Sequence, residues 1–73
     1  MKELKWRRNK EEDCWELKVN NELIIELDNS YGVWSVWLID TDSGSYTKVC
    51  DNYDYISDAK EKGLKIAKAI IEY

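Results

Sequence analysis

The fold of this chain is decided by residues 23–39, which read LIIELDNSYGVWSVWLI. The first part of this segment alternates apolar with acidic residues, as a strand with one face on a core does. Its apolar positions are Leu23, Ile25 and Leu27. Residues 33–39 are largely apolar at both alternating sets of positions, so they predict the central, most buried strand. Residues 29–32 carry turn-forming residues, and the segment therefore predicts two strands joined by a turn.

The same alternation continues toward the N-terminus and, more weakly, toward the C-terminus. Apolar residues two positions apart define two earlier strands: Leu4 and Trp6, then Trp15, Leu17 and Val19. Asn20 and Asn21 precede the next strand and predict a tight hairpin turn, because Asn tolerates positive φ. Further turn signals lie at residues 9–12 and 41–44, and residues 45–50 predict a weaker fifth strand.

A change of period at Ser57 predicts a C-terminal helix over residues 57–72. Ser57 is a favourable N-cap, and Asp58 follows in the first turn, where the helix dipole favours an acid. One stripe of the helix is apolar and contains Ala59, Gly63, Leu64, Ile66, Ala67, Ile70 and Ile71. The small residues of this stripe would let the helix lie close against a sheet.

These elements define one domain, residues 1–73, of the α+β class. A chain of 73 residues is too short to build two hydrophobic cores. We predict an antiparallel meander of four to five strands over residues 1–50. The one C-terminal helix, residues 57–72, packs on one face of it.

One helix covers only one face of such a sheet, so the other face needs an explanation. If Trp34, Val36 and Leu38 face the helix, a second apolar set faces away from it. That set is Ile24, Val33, Trp37 and Ile39. The sequence does not decide which face carries Trp34 and which carries Trp37. We expect the uncovered face to be buried in a homodimer, occupied by a partner or covered by loops.

Composition argues against an enzyme. The chain has no histidine and only three glycines, which excludes His-dependent zinc sites, Ser-His-Asp triads and Gly-rich phosphate loops. Residues 40–51 partly resemble an EF-hand calcium loop, but Gly44 and Ser45 depart from it, and a polar hairpin explains the same residues. Cys14 and Cys50 are separated by 35 residues and are expected to be free thiols in strands. We predict no catalytic residue, no metal and no cofactor.

The net charge of −4 hides an uneven distribution. Residues 1–10 and 59–73 are net basic, whereas residues 11–58 are strongly acidic. An acidic middle argues against a dedicated nucleic-acid binder and permits a basic partner. The first ten residues contain no apolar run, and no stretch is long and apolar enough to span a membrane. We therefore expect a cytoplasmic chain.

Tyrosines among aspartates, directly before the helix, form the candidate partner site. Tyrosine gives large contact area at interfaces, and neighbouring carboxylates suit Arg and Lys of a partner. The predicted partner-binding residues are Trp37 and Ile39, for apolar burial, and Tyr46, Asp51, Tyr53, Asp54 and Tyr55, for electrostatic recognition. In a purely structural interpretation, Tyr53 or Tyr55 packs under the start of the helix and the aspartates are solvated.

The alternative function is a small nucleic-acid-binding regulator. Its candidate residues mix cations with an aromatic ring: Lys5, Trp6, Arg7 and Arg8. A base could stack on Trp6 while Lys5 and Arg7 neutralise phosphates. Against this, a phosphate backbone would be repelled by four acids predicted on one outward face. These acids are Glu16, Glu22, Glu26 and Asp28.

Three short segments carry a resemblance to a known kind of protein. They are the Lys-Trp-Arg of residues 5–7, the Val-Trp-Ser-Val-Trp of residues 33–37 and the Ser-Asp-Ala-Lys of residues 57–60. In this pattern the chain resembles small phage- or prophage-encoded proteins built as a β-meander plus a helix. Such proteins include anti-CRISPR proteins, which antagonise bacterial defence. The resemblance implies a non-enzymatic inhibitor that binds a host protein and sterically blocks its ligand site.

Overall fold

The structure is a computed structural model that describes residues 4–30 and 32–72. These residues form five antiparallel strands in one open sheet, followed by one helix that packs on it. The strands are β1 (Trp6–Asn9), β2 (Cys14–Lys18), β3 (Leu23–Ser30), β4 (Val33–Asp40) and β5 (Ser45–Tyr53), and the helix is α1 (Ile56–Ile71). They lie in the order β1-β2-β3-β4-β5, so each strand pairs with its neighbour in sequence. The middle strand is β3, and residues 33–39, predicted as the central strand, belong to its interior neighbour β4. The predicted α+β meander with a C-terminal helix is confirmed.

Asparagine side chains close the first two turns. Asn20 Oδ1 accepts hydrogen bonds from the backbone N–H groups of Glu22 and Leu23, at 2.8 and 2.9 Å. Asn9 Oδ1 accepts in the same way between β1 and β2, from the N–H groups two and three residues further on, at 3.1 and 3.2 Å. The side chain thus replaces part of the backbone hydrogen bonding of the turn. The predicted turn at Asn20 is confirmed, but neither Asn20 nor Asn21 adopts the positive φ on which the prediction relied.

The turn between β3 and β4 is shorter than predicted. Asn29 and Ser30 belong to β3, where they pair with Trp34 and Val33 of β4. Gly32 follows with φ +80, a left-handed conformation that glycine adopts without steric cost. Tyr31, which the sequence also assigns to this turn, lies outside the described residues.

The core lies between the sheet and α1. Its buried residues are Leu17, Val19, Ile25, Leu27, Val36, Ala59 and Ala67. Trp34 and Leu38 pack against this cluster, so these residues of β4 face α1 and Trp37 lies on the other face. Gly63 permits a close approach, because a Cβ there would lie 2.7 Å from Cη2 of the Trp6 ring. The small residues of the helix therefore bring it close to the sheet, as predicted.

The helix begins one residue earlier than predicted and without the predicted cap. Its N-cap is Tyr55, whose carbonyl accepts from the N–H groups of Asp58 at 3.2 Å and Ala59 at 3.4 Å. Among the described residues, no side chain caps this end of the helix, so the assignment of Ser57 as N-cap is wrong. The apolar side chain of Ile56 packs against the core, and this contact places the start of the helix ahead of Ser57.

The fifth strand is longer than predicted, because bulges keep it paired with β4. The predicted strand ends at residue 50, whereas β5 continues to Tyr53. Register shifts on both sides of Val36 place extra residues in β5, and Asn52 adopts φ +70. As a result, Cys50 and Tyr53 both pack against the core although they are three positions apart. The sheet therefore extends into the predicted tyrosine–aspartate segment.

Candidate binding face

The side of the sheet away from α1, here called the open face, is the candidate site. Since Trp34, Val36 and Leu38 face the helix, the alternate residues of β4 lie on the open face, and the strand register extends this set across the sheet. The open face carries Arg7, Glu16, Lys18, Ile24, Glu26, Asp28, Val33, Ser35, Trp37, Ile39, Tyr46 and Lys48. It combines aromatic, aliphatic and charged side chains.

Two carboxylates oppose each other at the centre of this face. Glu16 on β2 pairs directly with Glu26 on β3, and Asp28 follows two residues along β3 on the same side. Asn9 Nδ2 donates to Glu16 Oε1 at 3.0 Å, which satisfies one oxygen but adds no positive charge. Like charges directly opposite each other destabilise a sheet. Arg7 on β1 faces Glu16 from the other side, so a cation supplied from outside the sheet would be attracted chiefly to the Glu26 and Asp28 side of this position.

Trp37 lies beside these acids and already contacts a cation. It pairs with Glu26 on one side and with Lys48 on the other. Lys48 Nζ lies 5.2 Å from the centroid of the Trp37 ring, within the distance of a cation–π contact. Tyr46 is the next open-face residue along β5 and is 63% exposed. Glu26, Asp28, Trp37 and Tyr46 line a shallow cleft of about 330 Å³.

The buried thiol of Cys14 lies close to the same acids. Cys14 is 2% exposed and is the first residue of β2, where it pairs with Asn9. It lies on the same side of β2 as Glu16. Burial, followed by a hydrogen bond to Glu26 and the negative charges of Glu26, Glu16 and Glu12, raises its pKa to about 12. Cys14 therefore stays a neutral thiol at physiological pH.

The second cysteine lies on the opposite side of the sheet. Cys50 pairs with Val36 and packs against the core, so the sheet separates it from Cys14, and both thiols are free. Burial and a hydrogen bond to Cys50 raise the pKa of Tyr53 above its ordinary value. Tyr53 therefore remains neutral and belongs to the packed side of the molecule.

The structure brings some of the predicted partner-binding residues together and separates others. Trp37, Ile39 and Tyr46 share the open face, but Ile39 is only 8% exposed beside its partner Tyr46 and offers little surface for the predicted apolar contact. Oδ2 of Asp51 lies 3.7 Å from Nζ of Lys48. Tyr53, by contrast, packs against the core on the covered face, so its predicted role in recognition is corrected to a structural one.

Asp54 and Tyr55 form the connection between β5 and α1 and are exposed, Tyr55 by 70%. The predicted site is thus divided into two regions by the packed ring of Tyr53, which lies between them in sequence. The acids at the centre of the open face were predicted to point outward but were not predicted as site residues. Their direct pairing across strands depends on register, which the sequence pattern does not give alone.

The residues of the nucleic-acid alternative are also divided. The Trp6 ring packs against the core and against Gly63, and its Nε1 is buried with no hydrogen-bond partner among the described residues. Trp6 therefore cannot offer a free ring for base stacking, and that predicted role is corrected. Arg8 forms an ion pair with Asp13 and lies 5.7 Å from the Trp15 ring centroid.

The remaining cations of this region lie on or beside the open face. Arg7 pairs with Glu16 in the strand register, and Lys5 precedes β1 and is exposed. A shallow concavity of about 560 Å³ has mixed charge and is lined by Arg7, Arg8, Asn9, Lys10, Glu11, Glu16, Lys18 and Ile24. Acids thus lie beside the cations that would contact phosphate.

The loop that partly resembles a calcium site is a hydrogen-bonded turn. Asp40 Oδ1 accepts from the N–H of Asp42 at 3.0 Å, and the N–H of Gly44 donates to the Asp40 carbonyl at 2.8 Å. Within residues 4–30 and 32–72, no group of three or more His, Cys, Asp or Glu side chains could hold a metal ion. The helix of the described chain, with 16 residues, is not long and apolar enough to cross a membrane.

Comparisons with protein-family models, with curated proteins and with solved structures found no match. The chemistry of the open face is therefore the basis for a functional argument.

Proposed function

We propose that this chain is a non-enzymatic interaction protein that binds a partner protein through the open face. The observation that carries the proposal is the direct pairing of Glu16 with Glu26, beside the ring of Trp37. A basic partner would relieve the repulsion between the carboxylates and would bury the aromatic ring at the same time. Aromatic anchors beside complementary charge are typical of interaction surfaces.

In its biological form, the proposal is that a phage or mobile element encodes the chain and that it inhibits a host protein. The partner's basic surface would be one that normally holds a nucleic-acid ligand, and the acidic open face would cover it sterically. The net charge of −4 and the central carboxylates of the open face support this choice of partner.

A homodimer through the same face is the competing arrangement. In a two-fold dimer, residues near the axis meet their own copies. The Glu16–Glu26 pair lies on β2 and β3, near the middle of the five-stranded sheet. Centred face-to-face packing would therefore bring four carboxylates together. This repulsion favours a different, basic partner over a second copy.

The proposal is tested by charge reversal on the open face. The tagged chain captures proteins from a nuclease-treated lysate of the encoding organism, and bound proteins are identified by mass spectrometry. We expect Glu26→Lys to abolish capture of the specific partner. Glu61→Lys, the same change on the exposed surface of α1, is the matched control and should retain the partner. Circular dichroism establishes that both variants are folded.

Two outcomes would contradict the proposal. Loss of the partner with Asp54→Lys but not with Glu26→Lys would move the interface to the connection between β5 and α1. If partners were captured only when nuclease is omitted, and if Arg7→Ala abolished that capture, the nucleic-acid function would be favoured.

A further inference from the structure

We infer that the cleft lined by Glu26, Asp28, Trp37 and Tyr46 binds an arginine side chain of the partner. In the free protein, the ammonium group of Lys48 lies over the ring of Trp37 in its place. The inference rests on the proposed function, because it names the partner group that the open face recognises. It also assigns Lys48 the role of an internal competitor for that group.

The cleft offers both kinds of contact that a guanidinium group makes. The group is planar and can lie on the face of an indole ring while its N–H groups donate to carboxylates at its edge. Trp37 supplies the ring, and its cross-strand neighbour Glu26 supplies a carboxylate on the same face. Asp28 adds a second carboxylate and Tyr46 a second aromatic ring. Ring and acids thus border one cleft.

The contact of Lys48 shows that the ring of Trp37 accepts a cation from the solvent side. Nζ of Lys48 lies 5.2 Å from the ring centroid and 3.7 Å from the Asp51 carboxylate. The side chains of Lys48 and Asp51 are both 46% exposed, so their ion pair is held weakly. An incoming arginine can displace Lys48 from the ring while Lys48 keeps its contact with Asp51.

Arginine fits this cleft better than lysine. An ammonium group is a compact and strongly hydrated point charge, so it gains less than a guanidinium group does from a flat ring flanked by two separate acids. A guanidinium group is more weakly hydrated and donates through several N–H groups in a fixed plane. The cleft therefore predicts selectivity for arginine over lysine at equal charge.

The first test measures this selectivity with two probes. One is a short fluorescein-labelled peptide of alternating serine and arginine, and the other has lysine in place of arginine. Fluorescence anisotropy at about 0.15 M ionic strength should show about fivefold tighter binding of the arginine peptide. Trp37→Leu should remove this preference. Tyr55→Leu removes an exposed ring elsewhere and should leave the preference unchanged.

The second test isolates the competition by Lys48. Lys48→Gln and Lys18→Gln each remove one positive charge from the open face, but only Lys48 contacts the Trp37 ring. We expect Lys48→Gln to tighten binding of the arginine peptide about threefold more than Lys18→Gln does. Both lysines are exposed, so neither substitution removes a packed side chain.

The results separate this inference from the proposed function. Equal binding of the two peptides, or equal effects of the two lysine substitutions, would overturn the arginine cleft. If Glu26→Lys still abolished partner capture in that case, the proposed function would stand without it. A concentration-dependent dimer that Trp37→Leu dissociates would overturn the inference, because a second copy would then occupy the ring.

Discussion

The two faces of the sheet come from the same strands and differ in what they contribute. The covered face buries Leu17, Ile25, Leu27 and Val36 completely beneath α1. The open face alternates with it, residue by residue, and places like charges and a half-buried tryptophan on the surface. One face thus follows the rules of a stable core, while the other departs from them at its centre. Departures of this kind are expected where a surface is built for binding.

This division matters because the domain is small. A chain of 73 residues has a free energy of unfolding of only a few kcal/mol, so most of its stability must come from one well-packed layer. The covered face supplies that layer. The open face can then carry unfavourable contacts, provided that their sum stays below the stability of the core.

The largest expected effect compares two neighbours on β3 that lie on opposite faces. Ile25 is 0% exposed in the core, whereas Ile24 is half-buried on the open face opposite Ile39. Ile25→Ala should lower the free energy of unfolding by about 3 kcal/mol, because it leaves a cavity under α1. Ile24→Ala should cost about 1 kcal/mol or less. Urea denaturation followed by circular dichroism measures both.

Ile25→Val is the control if Ile25→Ala does not fold, and it should cost about 1 kcal/mol. Equal losses at Ile24 and Ile25 would contradict the distinction between the faces. They would mean that the open face is packed as a second core and is not available to a partner.

The next effect is a pH dependence that arises on the open face. The pKa of Cys14 is about 12 in the folded chain against an ordinary value of 9.0, so above pH 9 the unfolded chain loses a proton that the folded chain keeps. Stability from this group is complete below pH 9 and is lost as the pH rises toward 12. The slope is about 1.4 kcal/mol per pH unit within that window.

The measurement is the free energy of unfolding at pH 7, 9 and 10 in the presence of a reductant. Lysine and tyrosine also titrate at high pH, so Cys14→Ala is the reference chain. We expect the wild type to lose about 1 kcal/mol more than Cys14→Ala between pH 9 and 10. Equal losses would mean that Cys14 ionises normally and that neither its burial nor the neighbouring acids raise its pKa.

Most of the fold could be predicted from the sequence because its signals are local. Alternation in β3 and the change of period near Ser57 depend on residues close together in the chain, and both predicted the correct element. The N-cap was wrong because the packing of Ile56 against distant strands fixes the helix start. The end of β5 was missed because its bulges follow from pairing with β4, which no local pattern records.

The candidate site was harder to predict because it depends on contacts between strands. Glu16 and Glu26 are ten positions apart in sequence and become neighbours only through the register of the β2–β3 hairpin. A shift of one residue would move one of them to the covered face. Tyr53 shows the reverse case, since its position among aspartates suggested a surface role, whereas the bulged strand turns it toward the core.

The smallest expected effect joins stability to function at Glu26. Glu26→Gln keeps the shape of the side chain and removes one of the two charges that oppose each other across β2 and β3. The free energy of unfolding should rise by about 0.5 kcal/mol, measured by urea denaturation at low salt. The same substitution should weaken binding of the basic partner. Glu61→Gln on α1 changes the charge equally and should not raise stability, because it removes an exposed contact with Lys65.

The expected gain in stability and loss of binding have opposite signs, and this combination distinguishes a binding role of Glu26 from a structural one. If Glu26 served only the fold, its substitution would lower the free energy of unfolding. If it had no role, its substitution would change neither the free energy of unfolding nor partner binding. If Glu26→Gln destabilised the chain, the hydrogen bond from Cys14 to Glu26 would outweigh the repulsion from Glu16. The acidic centre would then belong to the fold. A gain in stability with a loss of binding would instead mean that the repulsion is kept for the partner that relieves it.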